Sequence, residues 1–275
     1  MPDLWSDLLA CLDLTAPPPA RPAGGEGASV VFEGCNQRLG YHRLFGGQLL
    51  AQFARAAAIA CPGKGVKSLH ALFPREGRTD EPVRYEVERH REGGTFAVLT
   101  IRALQGAGVI ATASVSLHAA EDGPDHQTVA KVPPVLGPEH RVDIGLLPWE
   151  TRASADLDSA ASGPPELDLW MRIPEADPDH APALTAYATD LSLIGTALRP
   201  VEGVGQRDAG TAFTSAVTSH TLWFHRPFRT GGWLLLRQHS PLLAHGRCFG
   251  RGDVLTEDGA LVASYAQEAL LRFRG

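Results

Sequence analysis

The sequence predicts an α+β protein built from two copies of one unit, in which an antiparallel sheet wraps a single helix. A Ser/His/apolar/Phe run occurs at 68–73 and again at 219–224. The run at 108–114 matches the run at 259–265 at an offset of 151 residues, the same offset that superposes Phe73 on Phe224. A repeat of this length is the size of a small domain and is too long for a solenoid unit. The order strand, helix and four strands occurs twice, which favours one helix for each sheet.

The first copy is predicted from its hydrophobic periodicity. Leu49, Leu50 and Phe53 belong to an apolar series at helical spacing that ends before Pro62. Gly-containing turns separate the last three strands, which favours an antiparallel meander. In order, the predicted elements are a short helix over 1–15, a Pro/Gly/Ala tether at 17–27, a strand at 29–37, a helix at 46–59, and strands at 66–73, 82–90, 95–104 and 108–118.

The second copy follows a stretch that breaks the pattern. Residues 120–165 contain repeated prolines and mixed charges, which predicts a linker. The predicted elements that follow are a strand at 166–173, a helix at about 181–198, and strands at 214–225, 232–240, 245–255 and 260–273. The predicted organisation is therefore an N-terminal segment over 1–28, a first unit over 29–119, a linker over 120–165 and a second unit over 166–275.

Composition restricts the functional classes. The formal net charge of −6 argues against a nucleic-acid or membrane-surface role, because phosphate-rich partners recruit basic surfaces. The four cysteines have no CxxC spacing, so neither a zinc site nor a disulfide framework is expected. The amino terminus lacks the regions of a signal peptide, and no apolar run approaches the roughly 20 residues of a membrane span. We therefore expect a cytoplasmic protein with no membrane span and no nucleic-acid partner.

Three polar side chains in the second copy fall on faces predicted to be apolar. Asp190 lies in the stripe of the predicted helix that also holds Tyr187 and Ile194. Gln267 alternates with apolar residues along the last strand, and Thr218 shares a predicted face with His220. A carboxylate that faces a core costs several kcal/mol (order of magnitude) unless it is hydrogen-bonded. Such a group is more easily explained by function when a hydroxyl and a carboxamide accompany it.

This set of side chains suits the activation of water. The sequence has neither a Ser nucleophile elbow nor a metal-spaced His cluster, so no metal or organic cofactor is expected. A carboxylate, a hydroxyl and a carboxamide can hold a water molecule, with Asp190 as hydrogen-bond acceptor or general base. Backbone N–H groups at the start of the helix could polarise an acyl carbonyl. The chemistry fits hydrolysis of an activated ester, above all a thioester.

At these residues the chain resembles the acyl-CoA thioesterase II family, which has bacterial and peroxisomal members. The matching segments are Leu44 to Gln48, Ser68 to Phe73, Ala186 to Leu191, His220 to Phe228, and Leu261 to Glu268. The Trp-Phe-His-Arg-Pro-Phe run at 223–228 is the most specific of these segments. They lie between about residues 30 and 273, so the resemblance covers most of the chain.

The resemblance implies a double-hotdog fold, in which two helix-in-sheet units lie in one chain. It also implies that Asp190, Thr218 and Gln267 correspond to the water-orienting triad of the family, and that the protein is a homodimer or larger oligomer. Ser219 stands where the family commonly has Asp. A second departure is the run 73–76, Phe-Pro-Arg-Glu, where the family has Phe-Leu-Arg-Pro.

The leading hypothesis is hydrolysis of fatty acyl-CoA to free fatty acid and coenzyme A. His220 and Arg226 are candidate substrate-binding residues; a guanidinium at 226 suits charge-assisted pairing with coenzyme A phosphates. One alternative is a hotdog enoyl-CoA hydratase, for which Asp190 and His220 would be the nearest Asp/His pair. Another is a non-catalytic acyl-CoA-binding protein on a decayed hotdog.

Overall fold

The computed structural model describes residues 3–16, 29–106 and 108–274. The chain forms two compact units, one made of 1–126 with 179–187, and the other of 127–178 with 188–275. The tether predicted at 17–27 lies outside the described residues. Among the residues that are described, no helix is both long and apolar enough to cross a membrane.

The first unit is a five-stranded antiparallel sheet with a long helix against it. Its helices are α1 (Leu4–Leu12) and α2 (Gly46–Ala60), and its strands are β1 (Ser29–Gly34), β2 (Gly65–Leu72), β3 (Val83–Glu92), β4 (Phe96–Gln105) and β5 (Gly108–His118). The strands are ordered β1-β3-β4-β5-β2, so the predicted meander over the last three is confirmed. Leu50 and Phe53 of α2 are fully buried, and each such side chain contributes about 1.5–3 kcal/mol of burial free energy.

The start of α2 requires a residue without a side chain. A Cβ at Gly47 would lie 2.5 Å from the carbonyl oxygen of Tyr187 and would also overlap the ring of Phe45. The Tyr187 hydroxyl donates a hydrogen bond of 2.7 Å to Gln37 Oε1, and its ring meets Phe45 edge-on. Gly47, in the Gly-Gly-Gln opening of α2, is therefore required by close packing within this unit.

The second unit repeats the arrangement. Its helices are α3 (Ala181–Thr189), which begins in the residues of the first unit, and α4 (Leu193–Leu198); its strands are β6 (Arg141–Val142), β7 (Glu150–Ala153), β8 (Glu166–Arg172), β9 (Phe213–Phe224), β10 (Leu234–Ala244), β11 (Arg247–Thr256) and β12 (Leu261–Phe273). The strand order is β9-β12-β11-β10-β8-β7-β6. Read from the other end, β8-β10-β11-β12-β9 has the same connectivity as β1-β3-β4-β5-β2. The predicted internal repeat is therefore present in the topology.

The single helix predicted at 181–198 is wrong, because the chain leaves the helix at Asp190 and re-enters it at Leu193. Ser192 stabilises the break: its hydroxyl accepts a 2.6 Å hydrogen bond from Gln238 Nε2, and its carbonyl accepts from the hydroxyl of Thr196 at 2.8 Å. Serine side chains compete with the helical backbone for hydrogen bonds, which favours such a turn.

Much of the segment predicted as a linker packs against the second unit. Val129, Val132, Val135 and Leu136 pack on a cluster around Trp170. Nearby, the guanidinium of Arg237 donates to the carbonyls of residues 130 and 131 at 3.0 and 3.1 Å. Further along, β7 pairs with β8 and extends the sheet. The segment therefore covers the sheet face opposite the helices.

Candidate active site

Asp190 is the first residue after α3, and its side chain is buried. Its exposed fraction is 7%, and the residues on either side of the helix end, Thr189 and Ser192, are fully buried. The hydrogen bonds of Ser192 to Gln238 and Thr196 fix the turn that follows. The carboxylate is therefore presented from a short, rigid segment between two helices, and not from a continuous helix face.

Gln267 faces His220 on the neighbouring strand. The two are direct partners in the antiparallel register of β12 and β9, and His220 Nδ1 lies 2.9 Å from Gln267 Oε1. Both side chains are buried, as the alternation of the two strands predicts. Direct cross-strand partners on one face have their Cβ atoms about 5 Å apart, which places an imidazole and a carboxamide within hydrogen-bonding reach.

His220 also links this pair to the end of α3. Its Nε2 lies 3.0 Å from the hydroxyl oxygen of Thr189, and its Nδ1 lies 3.9 Å from Asp190 Oδ1. The ring stacks at 6.0 Å on that of Tyr265. Complete burial lowers the pKa of His220 to about 4, with the hydrogen bond to Gln267 opposing that shift. The imidazole is therefore neutral near neutral pH.

Thr218 occupies an irregular position on β9. The pairing of β9 with β12 shifts register at this residue, because Ser219 pairs with Glu268 and Val217 with Ala269. The Thr218 hydroxyl donates to the carbonyl oxygen of Glu268 at 3.1 Å. The simple alternation that placed Thr218 on the face of His220 is interrupted here, as it is at any β-bulge. The structure thus brings Asp190 and Gln267 together around His220, and it places the Thr218 hydroxyl on the backbone beside Gln267.

Arg226 contacts a different part of β12. Its Nη1 donates to the carbonyl oxygen of Leu261 at 2.8 Å, six residues before Gln267 along the strand, or roughly 20 Å at the rise of a β-strand. The predicted substrate-binding residues therefore separate in space: His220 lies in the buried cluster with Gln267, and the contact of Arg226 lies near the start of β12.

Neither Thr189 nor the central place of His220 was predicted from the sequence. Thr189 directly precedes Asp190 and is fully buried, yet a hydroxyl within a predicted helix carries little signal, because it can bond to a backbone carbonyl of the preceding turn. The alternation of side chains along β9 predicted correctly which face of the sheet His220 lies on. Its partner on β12 depends on a strand register that is set by contacts 47 residues apart in sequence.

The serine of the first unit that matches Gln267 lies in a different setting. Ser68 and Ser116 are direct partners in the register of β2 and β5, and their hydroxyl oxygens lie 2.6 Å apart. Gln267 matches Ser116 at the offset of 151 residues. At the same offset His220 matches Leu69, and Ser68 and Ser116 alternate with the buried Leu69 and Val115, so the serine pair lies on the opposite face of its sheet. The first copy has no imidazole–carboxamide pair at these positions.

A cavity of about 770 Å³ lies on the second unit but does not include Asp190, His220 or Gln267. Outward-facing side chains of the sheet line much of it, among them Trp223, Arg237 and Arg251, and Gln238 and Tyr265 also border it. The buried cluster of Asp190, His220 and Gln267 is a stronger candidate for the active site than this cavity. A mixture of paired charges at an open surface needs no functional explanation, whereas a carboxylate and an imidazole inside a core do.

The cluster of Asp190, His220 and Gln267 provides a hydrogen-bond acceptor and a hydrogen-bond donor, but no nucleophilic side chain. The Asp190 carboxylate can accept protons, and the Gln267 carboxamide can donate from Nε2 while its oxygen is bound to His220. Within the described ranges, no three His, Cys, Asp or Glu side chains lie close enough to hold a metal ion. These groups can orient and deprotonate a water molecule beside an acyl carbon.

Comparison with known proteins identifies the family. Residues 37–118 match the family described as acyl-CoA thioesterase N-terminal domain, and residues 115–271 match acyl-CoA thioesterase C-terminal domain. Acyl-CoA thioesterase 2 of Haemophilus influenzae is 31% identical over 89% of this chain and 93% of its own length. Human acyl-coenzyme A thioesterase 8 is 30% identical over 89% of this chain and 85% of its own length.

A solved structure agrees with this result. The acyl-CoA thioesterase II TesB2 of Mycobacterium marinum is 30% identical, covers 98% of both chains and superposes with a TM-score of 0.73. The predicted α+β double hotdog, with two helix-wrapping sheets in one chain, is thereby confirmed. The chain belongs to the acyl-CoA thioesterase II family and is a thioester hydrolase that acts on acyl-CoA.

Proposed function

We propose that the protein hydrolyses fatty acyl-CoA to free fatty acid and coenzyme A with a water molecule held by Asp190, Thr218 and Gln267. The observation that carries this proposal is the burial of Asp190 and Gln267 in one cluster around His220. A buried carboxylate beside a carboxamide donor provides the two contacts that a nucleophilic water needs. The proposal requires no covalent intermediate.

In the reaction, the water donates one hydrogen bond to the carboxylate of Asp190 and accepts one from Gln267 Nε2. Asp190 takes a proton as the water oxygen attacks the thioester carbonyl carbon. The C–S bond then breaks, and the departing coenzyme A sulfur receives the proton. A thiol has a pKa of about 8.5, so the thiolate leaves readily and needs little assistance.

Thr218 is the third proposed contact for the water. Its hydroxyl hydrogen is used in the bond to the Glu268 carbonyl, so its oxygen is left to accept a hydrogen bond. The role assigned to Thr218 is therefore that of an acceptor that helps to fix the orientation of the water. Arg226 remains a candidate for the coenzyme A phosphates. Cytoplasmic location remains a prediction from the sequence, and homo-oligomeric assembly remains what the family resemblance implies.

The test measures free thiol released from a panel of saturated fatty acyl-CoA esters. We expect the wild-type protein to release thiol and Asp190→Asn to lower kcat by about 100-fold or more, the range that loss of a general base produces. Asp122→Asn, a change of the same chemistry at an exposed position, should retain the wild-type rate. Equal rates in wild type and Asp190→Asn would place the chemistry elsewhere.

A second candidate function is hydration of an enoyl-CoA, because His220 Nδ1 lies only 3.9 Å from Asp190 Oδ1. Both imidazole nitrogens already have partners, which argues against proton transfer by His220. The assay separates the two reactions when enoyl-CoA is included: loss of the enoyl absorbance without thiol release indicates a hydratase. Binding of either ester without turnover would indicate an acyl-CoA-binding protein.

A further inference from the structure

His220 is a buried histidine that the proposed reaction does not use. It is fully buried, and its two ring nitrogens contact Thr189 on one side and Gln267 on the other. The ionisable groups around it are Asp190 at the end of α3 and Tyr265 on β12. An imidazole in such a position restricts the orientation of the side chains to which it is hydrogen-bonded.

The protonation state of the ring follows from its partners. In the observed orientation Gln267 Oε1 faces Nδ1, and a carboxamide oxygen can only accept a hydrogen bond, so in that orientation Nδ1 carries the hydrogen. In a neutral ring Nε2 is then an acceptor, and the Thr189 hydroxyl donates to it. An Nδ1–H is also favourable 3.9 Å from the carboxylate of Asp190, where a lone pair would be repelled.

The same bond determines which end of Gln267 faces the site. The oxygen and nitrogen of a carboxamide have nearly the same shape, and the group can turn by 180° when no partner distinguishes them. Donation from Nδ1 holds the oxygen towards β9. The NH₂ group is then the end that remains for the reacting water.

We propose that His220 is a positioning residue: protonated on Nδ1, it holds the Gln267 carboxamide with its NH₂ group available as the donor to the reacting water. This role rests on the proposed function of Gln267 and adds a requirement to it. His220 neither touches the substrate nor transfers a proton. Thr189 completes the chain by donating to Nε2, which leaves Nδ1 as the protonated nitrogen.

Two isosteric substitutions test the role. In His220→Asn the amide nitrogen can occupy the position of Nδ1 and still donate to Gln267, whereas in His220→Gln the amide reaches the position of Nε2 and loses that donor. We expect His220→Asn to keep kcat within about 10-fold of wild type and His220→Gln to lower kcat by about 100-fold, with KM within about threefold in both. His239→Asn and His239→Gln, on the outward face of the same sheet, are the matched controls. Equal losses in the two His220 variants would overturn the proposal.

A second measurement does not depend on activity. In the wild-type protein with ¹⁵N-labelled histidine, the His220 ring signals, assigned by their absence from His220→Asn or His220→Gln, should show the Nδ1–H tautomer at pH 7. The Nε2–H tautomer would overturn the proposal even if the enzyme is active. Absence of thiol release by wild type together with the Nδ1–H tautomer would refute the proposed reaction and leave the orientation of Gln267 supported. If neither variant folds, the tautomer alone decides.

Discussion

His220 and Gln267 form a direct cross-strand pair, with 2.9 Å between Nδ1 and Oε1. The two residues come from strands that are not consecutive in the chain, and they meet where β9 and β12 lie side by side. In the first unit Leu69 and Val115 are the buried direct partners on the adjacent strands β2 and β5. The same pairing of two strands therefore carries two apolar side chains on the inward face of one copy and an imidazole with a carboxamide in the other.

The pH dependence of stability reports on His220. Its pKa is lowered to about 4 by burial, whereas an exposed histidine in the unfolded chain titrates near 6.5. The unfolded chain therefore binds a proton at higher pH than the folded one. The contribution to stability is fully present above about pH 6.5, and it is lost as the pH falls towards 4, by about 3 kcal/mol in all.

Urea unfolding measures this effect. Between pH 7.5 and pH 5, the free energy of unfolding of wild type should fall by about 2 kcal/mol more than that of His220→Asn. The other titrating groups are common to both proteins and cancel in the comparison. Parallel curves for the two proteins would show that His220 is protonated as easily in the folded state as in the unfolded chain.

Substitution with valine distinguishes the roles of the two hydroxyls near the site, those of Thr218 and Thr189. Thr218→Val should lower kcat by about 10-fold because it removes an acceptor for water, with a change in the free energy of unfolding near 1 kcal/mol. Thr189→Val should lower that free energy by about 1–3 kcal/mol, because it leaves Nε2 of His220 buried without a partner. Thiol-release kinetics and urea unfolding check both. A wild-type kcat in Thr218→Val with a large loss in Thr189→Val would assign the active hydroxyl to Thr189.

The turn after Asp190 depends on Gln238. Its carboxamide donates to the Ser192 hydroxyl, and its oxygen lies 2.9 Å from the Thr196 hydroxyl, which shares its one hydrogen with the Ser192 carbonyl. All three side chains are buried. Gln238→Leu should therefore lower the free energy of unfolding by about 2 kcal/mol and lower kcat as well, because the segment that holds Asp190 loses its anchor. Thermal unfolding and thiol release provide the measurements. An unchanged melting temperature would mean that the break between α3 and α4 forms without this network.

Gly252 lies against the ring of Tyr265, so a larger residue at position 252 tests how closely that ring is packed. A Cβ at this position would lie 2.6 Å from Cζ of the Tyr265 ring, and that ring stacks on His220. Gly252→Ala should lower the free energy of unfolding by about 1–3 kcal/mol through overpacking. Gly232→Ala, where a Cβ would meet nothing within 4 Å, is the control and should change it by less than about 0.5 kcal/mol. Equal melting temperatures for the two variants would contradict the close packing.

Most secondary structure was predictable because it follows from local spacing. The helix predicted at 46–59 is observed as Gly46–Ala60, and the strand predicted at 260–273 is observed as Leu261–Phe273. Apolar residues at helical or alternating intervals determine such elements within a few residues of one another. The same alternation placed Gln267 and His220 on the inward face.

The exceptions arise where a distant partner overrides the local pattern. The stretch 181–198 has an apolar helical stripe, yet the helix breaks because Ser192 bonds to Gln238, which lies 46 residues further along the chain. Alternation along β9 fails at Thr218 because the pairing with β12 shifts by one residue there. Neither partner can be identified from the residues next to it.

The sequence by itself determined that the chain holds two copies of one helix-and-sheet unit, and that the second copy places Asp190 and Gln267 where apolar residues belong. Tertiary structure alone decided that His220 joins them, that Thr189 lies beside it, and that Asp190 lies in a turn between two helices. The physical reason is the separation along the chain of the residues that interact. Periodicity depends on neighbours a few residues apart. Strand register and buried hydrogen bonds depend on which distant segments meet in the folded chain.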